Sequence, residues 1–323
     1  MLGSDFSAHE VRVTGIIAKD KTIKKTFVLA NDAIKQFRLS PIDKLDKARE
    51  ILAREGDIHI SNVKFFFKKT VDKSHPLRQQ VKAVAFGVLY GKMAKALAKE
   101  LGITEEEAQN LMNALFEQWA ETHEWIVYTH KSGKETFMVH YPNNRIRHLW
   151  AYLHDDIWVE RAMDRRAVNS PVQGFSSDIG VASIYLSKKW VFYNITQKGY
   201  YLDSHHTNVV HDAQYSDVLY EHMPFAVYLT EHAMSTLPMD YYKEVFDFDI
   251  SIPLSSGMEF GANWASLNEW NFRPETLLEM LEKEGHRLEK SSKAINKVLE
   301  DTKFMLKIRE GELKSNPYRM QVS

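Results

Sequence analysis

Arg78–Gly91 reads RQQVKAVAFGVLYG. Arg78, Lys82, Phe86 and Tyr90 recur every four residues, and four residues of α-helix turn a side chain by only about 40°. All four therefore lie on one slowly winding stripe, two cations first and two aromatics after. A helix facing a core would carry apolar residues along such a stripe. A helix laid along a nucleotide needs the observed order: cations on phosphates, one ring on the sugar, one ring near a base. The alternative is a surface helix with a cationic start, and the aromatic continuation into Tyr90-Gly91 counts against it.

The rest of the composition sets bounds. The chain has 323 residues, 44% hydrophobic and 26% charged, with a formal net charge of −1. These values are ordinary for a globular protein and allow a sizeable core in one or two lobes. No apolar run approaches a membrane span, and no charged-then-apolar signal peptide opens the chain. Cysteine is absent, which excludes disulfides and thiolate metal sites and fits a cytoplasmic setting. Without a global basic excess, nucleic-acid binding has to rest on local clusters.

The pattern R-x3-K-x3-F-x3-YG resembles motif B, the O-helix of the fingers in family A DNA polymerases. Three further stretches resemble that family in the same order. Asp5–Arg12 (DFSAHEVR) is similar to motif A. Arg165–Gly174 (RRAVNSPVQG) keeps the family's Arg, Asn, Pro and Gln-Gly offsets. Thr207–Tyr215 (TNVVHDAQY) is similar to motif C and reads as strand, tight turn, strand, with His-Asp at the turn. Gly257–Trp264 (GMEFGANW) resembles the closing palm strand.

The resemblance implies an α+β fold: an antiparallel palm sheet, a large helical fingers lobe and, outside the resemblance, a helical C-terminal tail. It divides the chain into palm (1–20), fingers (21–186, with the motif B helix over 76–101), palm again (187–268, with the motif C hairpin) and charged tail (269–323). Only Met1–Ser4 precede the motif A aspartate, where the family has a leading β-strand. Thumb and exonuclease domain are expected to be absent. The chain then reads as the C-terminal half of a phage-like split polymerase, completed by a separate N-terminal subunit.

The same resemblance assigns roles. Asp5 and Asp212 become the catalytic pair that holds two Mg2+ ions, with the Phe6 carbonyl completing the shell. Arg78 meets the outer phosphates of a dNTP. Lys82 meets the inner ones and protonates the leaving pyrophosphate. Glu10 is the steric gate against a ribose 2′-hydroxyl. Phe86 packs on the deoxyribose, and Phe at this place goes with discrimination against dideoxynucleotides. Tyr90 stacks near the templating base. His59, in Gly56-Asp57-Ile58-His59, lies near the triphosphate; a surface or helix-capping histidine is the other reading. Arg165, Asn169 and Gln173 share a helix face and meet the primer–template minor groove. Arg145 and Arg147, in a loop that resembles the family's Arg-rich one with its Gly lost, track template phosphates. His211 either touches the primer terminus or is a core histidine.

The implied reaction is template-directed transfer of dNTPs to a primer 3′-hydroxyl. One departure bears on it: Ala213 stands where the family has Glu after the motif C aspartate. With the short N-terminus it favours a rival, a non-catalytic remnant that binds DNA or a partner. The intact Asp5, Glu10, Arg78, Lys82 and Asp212 favour catalysis.

Local patterns add expectations. A helix is predicted over Asp43–Glu55 from Leu45, Ile51 and Leu52, and one from Ser74-His75-Pro76 that runs on to Leu101, with Gly102 as its stop. Thr104–Glu107 predicts a capping box for a helix through Trp119. Lys131–Lys134 reads as a turn, Trp150–Val159 as an unassigned insertion, Asp178–Tyr193 as a long amphipathic helix and His205-His206 as a loop. Phe246–Ile252 alternates like a half-buried strand with its aspartates outward. Thr276–Leu313 reads as mostly helical, and Leu281, Leu288 and Ile295, seven apart, give weak support to a coiled coil.

Overall fold

The strand that organises the molecule is β1 (Leu2–Phe6), at the very start of the chain. The computed structural model describes residues 1–39, 48, 50–52, 56–194, 202–270 and 273–312. Helices α1 (His9–Ala18) and α2 (Lys21–Leu39) follow β1. Next come α3 (Ile58–Phe67), α4 (Pro76–Leu89), α5 (Ala94–Leu101), α6 (Glu105–Gln118) and α7 (Ala120–Thr136). A hairpin of β2 (Met138–His140) and β3 (Ile146–His148), then a 3-10 turn at Trp150–Leu153, lead into the long α8 (Ile157–Asn194). The chain continues through β4 (Ser204–Val210), β5 (Ala213–Val218), α9 (Met223–Ser235), α10 (Leu237–Phe246), β6 (Ser256–Phe260) and β7 (Asn268–Trp270). Helices α11 (Pro274–Arg287) and α12 (Ser292–Glu312) close it.

Five strands form one antiparallel sheet in the order β4-β5-β1-β6-β7. Side chains of a strand alternate between faces. Leu2, Ser4 and Phe6 of β1 and Ser256, Met258 and Phe260 of β6 are buried on one face. Gly3, Asp5, Tyr215 and Glu259 share the other. The strand expected to be missing upstream of Asp5 is thus supplied by residues 2–6 themselves. Flanked on both sides, this short segment gains two ladders. The terminal ammonium also donates to the Gly261 carbonyl at 2.9 Å.

The main core lies under the helices. It joins Phe6 and Val11 to Val84, Ala85 and Leu89 of α4, Leu97 of α5, Leu115 of α6 and Phe175 and Ile179 of α8. A second cluster covers the back of the sheet, where Leu277, Leu281 and Val298 of the tail pack with Leu2, Val218, Met258, Phe260 and Trp270. The tail is therefore fastened to the palm, and the Tyr220 hydroxyl donates to the Leu281 carbonyl at 2.7 Å. Leu281 and Ile295 are buried while Leu288 is exposed, so the heptad positions do not make one seam.

Several local expectations need correction. The helix foreseen over 76–101 is two helices: α4 stops at Leu89, and Gly91 turns the chain with φ +68° before α5. Gly102 ends α5 in the left-handed region, as expected. Lys131–Lys134 is no turn but part of α7. Its Gly133 is buried against Leu149, Tyr152 and Ala167, at distances where a Cβ would make ordinary contact. His205-His206 is in β4 rather than a loop. His205 pairs with Asp203 at 2.9 Å, and His206 bonds Ser187 and Ser216. Phe246–Ile252 alternates in burial yet pairs with no strand among the described residues. Ile250 and Ile252 enter the core while Asp247 and Asp249 stay outside, so the facing was right and the pairing was not. The boundary drawn at residue 186 falls inside α8, which begins well before Asp178. The predicted helix over Asp43–Glu55 lies largely outside the described residues.

The capping box at Thr104 is present, and Trp119 is the joint between α6 and α7. His75 caps α4 with Pro76 in its first turn. The unassigned 150–159 stretch is the 3-10 turn and the start of α8. No helix among the described residues is long and apolar enough to cross a membrane.

Candidate active site

The register of the sheet builds the floor of the site. Ser4 lies opposite Gln214, so the next residue, Asp5, comes level with Ala213 and against the turn that carries Asp212. That turn joins β4 to β5 with His211 in the left-handed region at φ +57°. Asp5 and Asp212 meet there across more than 200 positions of sequence. Partial burial in the cleft and the nearby Asp212 charge raise the Asp5 carboxyl to about 6, and Glu259 pushes in the same direction.

Behind this floor the first turn of α1 is locked from two sides. The Phe6 ring stacks on His9 with centroids 4.1 Å apart, and His9 Nε2 donates to the Ser176 carbonyl at 3.0 Å. Burial lowers the His9 pKa to about 4, so the ring is neutral. The Arg12 guanidinium is buried, donates to the Ser7 and Pro253 carbonyls and lies 3.9 Å over the Phe27 ring. Burial lowers its pKa to about 9.

Helix α4 forms the opposite wall. Arg78, Lys82 and Phe86 line the same cleft of about 1190 Å3 as Asp5, Asp212 and His59. Three members of the stripe predicted from the four-residue spacing thus line this cleft, and Tyr90 at its end reaches Glu10. Phe86 lies 6.0 Å from His59 and 6.1 Å from Tyr90, centroid to centroid. Lys82 Nζ is 5.8 Å from the Phe86 ring, is exposed and makes no ion pair among the described residues. The Tyr90 hydroxyl donates to the Glu10 carboxylate. Burial and that bond raise Tyr90 to about 12.

Arg78 is held differently. Its Nε and Nη2 donate to one oxygen of Asp57 at 3.1 and 2.7 Å. The other oxygen of Asp57 accepts the N–H groups of His59 and Ile60, capping α3. Burial would raise the Asp57 carboxyl, but the Arg78 fork and the Ile60 N–H outweigh it and hold its pKa below the ordinary value. His59 is buried rather than a surface residue, and burial, with Arg78 and Lys82 adding, lowers its pKa to about 4.

A family model for DNA polymerase family A matches residues 1–266. The chain belongs to that family. This family A chain is 28% identical over 263 residues to a DNA polymerase of Bacillus phage SP01, covering 77% of the chain and 27% of the phage protein. It is 34% identical over 128 residues to the thermostable DNA polymerase I of Thermus aquaticus, covering 39% of the chain and 15% of that protein. Among solved structures, the fold matches the POL domain of Pol1 from M. smegmatis, in complex with DNA primer-template and dNTP. The TM-score is 0.62 at 21% identity, over 81% of this chain and 39% of that one. The chain thus spans about a quarter of the phage relative's length.

The remaining site residues of this family A chain lie along α8 and the β2–β3 hairpin. Arg165 and Gln173 are exposed and Asn169 is half-buried on α8. Arg165 packs over Gly91, where a Cβ would come 2.6 Å from its Cγ. Gln173 and His211 line the cleft. His211 is exposed, which removes the core-histidine reading. Arg145 stands over the Tyr141 ring at 4.2 Å and pairs with Asp178 at 2.9 Å. Arg147 is exposed on β3, away from the cleft.

Two residues escaped the sequence reading. Asp57 is the first, beside the histidine that the family resemblance singles out. An Asp just before a helical run is a capping signal, but nothing local announces its pairing with Arg78. Glu259 is the second. Ala213 leaves no carboxylate beside Asp212 at the start of β5, and Glu259 brings one into the cleft from β6, on the other side of β1.

Proposed function

We propose that this chain is the palm-and-fingers part of a DNA-directed DNA polymerase and transfers dNTPs to a primer 3′-hydroxyl. The observation that carries this reading is the meeting of Asp5 and Asp212 opposite the cationic stripe of α4 in one cleft. Asp5, Asp212 and the Phe6 carbonyl form an all-oxygen donor set, which fits Mg2+. Among the described residues no three His, Asp or Glu side chains are grouped to hold a metal by themselves. That agrees with a cation that takes one or two carboxylates and completes its shell from substrate phosphates and water. When bound, a magnesium pair supplies charge neutralisation of the triphosphate and acidification of the primer hydroxyl.

The chain's own groups do the rest. Arg78 forks onto outer phosphate oxygens and Lys82 places a point charge on inner ones. Both positions stabilise the charge that grows in phosphoryl transfer. Lys82 is also the donor placed to return a proton to the leaving pyrophosphate. Glu10, fixed by Tyr90, excludes a 2′-hydroxyl. Phe86 packs on the sugar and Tyr90 near the templating base. Arg165, Asn169, Gln173 and His211 hold the primer–template. The minor groove pattern they meet is degenerate, which suits acceptance of any correct pair. Arg145 and Arg147 follow template phosphates. The partner this reading calls for is a separate N-terminal polymerase subunit that carries thumb or exonuclease.

The test is primer extension with Mg2+ and single dNTPs, on the chain alone and together with that subunit. Addition only of the dNTP complementary to the template base is the expected result. Primer–template binding without addition in either case would favour the non-catalytic reading that Ala213 invites. Within the same assay, Glu10→Ala is expected to raise ribonucleotide incorporation by about tenfold or more, since a lost clash worth ~1.4 kcal/mol is a factor of ten; unchanged sugar selectivity would remove Glu10 from the gate.

A further inference from the structure

The N-terminal end of α8 carries an exposed ring and a cation that the proposed reaction does not use. Counted from Trp158, residues Arg161, Arg165, Asn169 and Gln173 follow at offsets of 3, 7, 11 and 15. At about 100° per residue these five directions fall within ~120° of one another. They form one face, and its far half is the stretch assigned above to the primer–template. Trp158 is 71% exposed, and the Arg161 guanidinium lies 5.3 Å from its ring. Arg161 and Arg165 make no ion pair among the described residues. The acids of this helix are directed elsewhere. Glu160 and Asp164 face α7, where Lys134 takes them at 2.5 and 3.6 Å. Asp156 is occupied by the N–H groups of Trp158 and Val159.

We propose that this extension of the α8 face seats the unpaired 5′ part of the template, with a base stacked on Trp158 and phosphates on Arg161 and Arg165. An exposed indole beside cations is the arrangement on which single-stranded nucleic acid stacks without sequence preference. The proposal rests on the polymerase reading, because continuity with Arg165 and Gln173 is what makes the template strand the occupant. The distance fits: the seven residues from Trp158 to Arg165 span ~10 Å, about three nucleotides at ~3.4 Å each.

The experiment compares two labelled primer–templates by fluorescence anisotropy on the full chain, one with a 1-nucleotide and one with an 8-nucleotide template overhang. The unaltered chain is expected to bind the longer overhang at least about fivefold more tightly. The Trp158→Ala/Arg161→Ala double variant is expected to bind both substrates equally, with its affinity for the short overhang unchanged. Trp158→Phe, which keeps a ring, retains most of the difference. An advantage that survives in the double variant overturns the proposal. Equal affinity for both substrates in the unaltered chain also overturns it and leaves the ring to a polypeptide partner. Failure to bind even the short overhang would overturn the polymerase reading as well, and that arm tells the two failures apart.

Discussion

Arg78 and Lys82 stand one helical turn apart on α4 and are held in opposite ways. Lys82 is exposed and unpaired among the described residues, while Arg78 is gripped by Asp57. The four-residue spacing made the pair legible. The grip was not, because it joins residues 21 apart that meet only when α3 docks on α4. Asp57→Asn separates its two tasks, since Asn caps a helix about as well as Asp but lacks the charge. The expected result is a rise of about tenfold in KM for dNTP, with kcat changed less; an unaltered KM would reduce Asp57 to a cap. His59 supplies a prediction in pH. Its folded pKa, about 4, lies below the ordinary value of 6.5. Between those values the unfolded chain binds the extra proton and the folded chain does not, so stability falls as pH drops from 6.5 towards 4. The slope attributable to it is at most ~1.4 kcal/mol per pH unit. Urea titrations at pH 7 and pH 5 should show His59→Asn losing less stability than the unaltered chain; equal losses would contradict a buried neutral ring. Phe86→Tyr is expected to admit dideoxynucleotides, read as chain termination in primer extension.

At the scale of elements, periodicity reported which way side chains face and was silent on what the backbone pairs with. Phe246–Ile252 shows this, because its alternating burial is real and no partner strand accompanies it. Lys131–Lys134 shows the converse: a Ser-Gly pair reads as a turn, yet here the glycine is a buried residue inside α7. The break between α4 and α5 is half legible, since Tyr90-Gly91 signals a bend while the helical pattern on either side gives no sign of an interruption. Gly91 has φ +68° and Arg165 lies against it. Gly91→Ala is therefore expected to cost roughly 1–3 kcal/mol, from the left-handed backbone and the clash together. Chemical denaturation measures that. A change below ~0.5 kcal/mol would mean that the bend does not depend on the glycine.

For the whole molecule, the four motifs could be ordered from sequence, but their convergence depends on a sheet whose central strand is residues 2–6. Too little sequence precedes Asp5 for that strand to announce itself, and its two ladders come from residues more than 200 positions away. The tail was equally opaque, since charged helices look alike whether docked or loose. Leu281 is fully buried against the back of the sheet. Leu281→Ala is expected to destabilise the chain by about 2–5 kcal/mol, and a neutral result would show that the tail does not support the palm. All of this arrangement serves one event, the approach of Asp5 to Asp212 beneath α4. The most direct measurement is single-turnover primer extension in Mg2+ by Asp5→Asn and Asp212→Asn, under the conditions in which the unaltered chain extends a primer, with primer–template affinity measured in parallel. Extension should vanish in both variants while DNA binding persists. Extension that survives in Asp212→Asn would contradict the assignment of the catalytic pair.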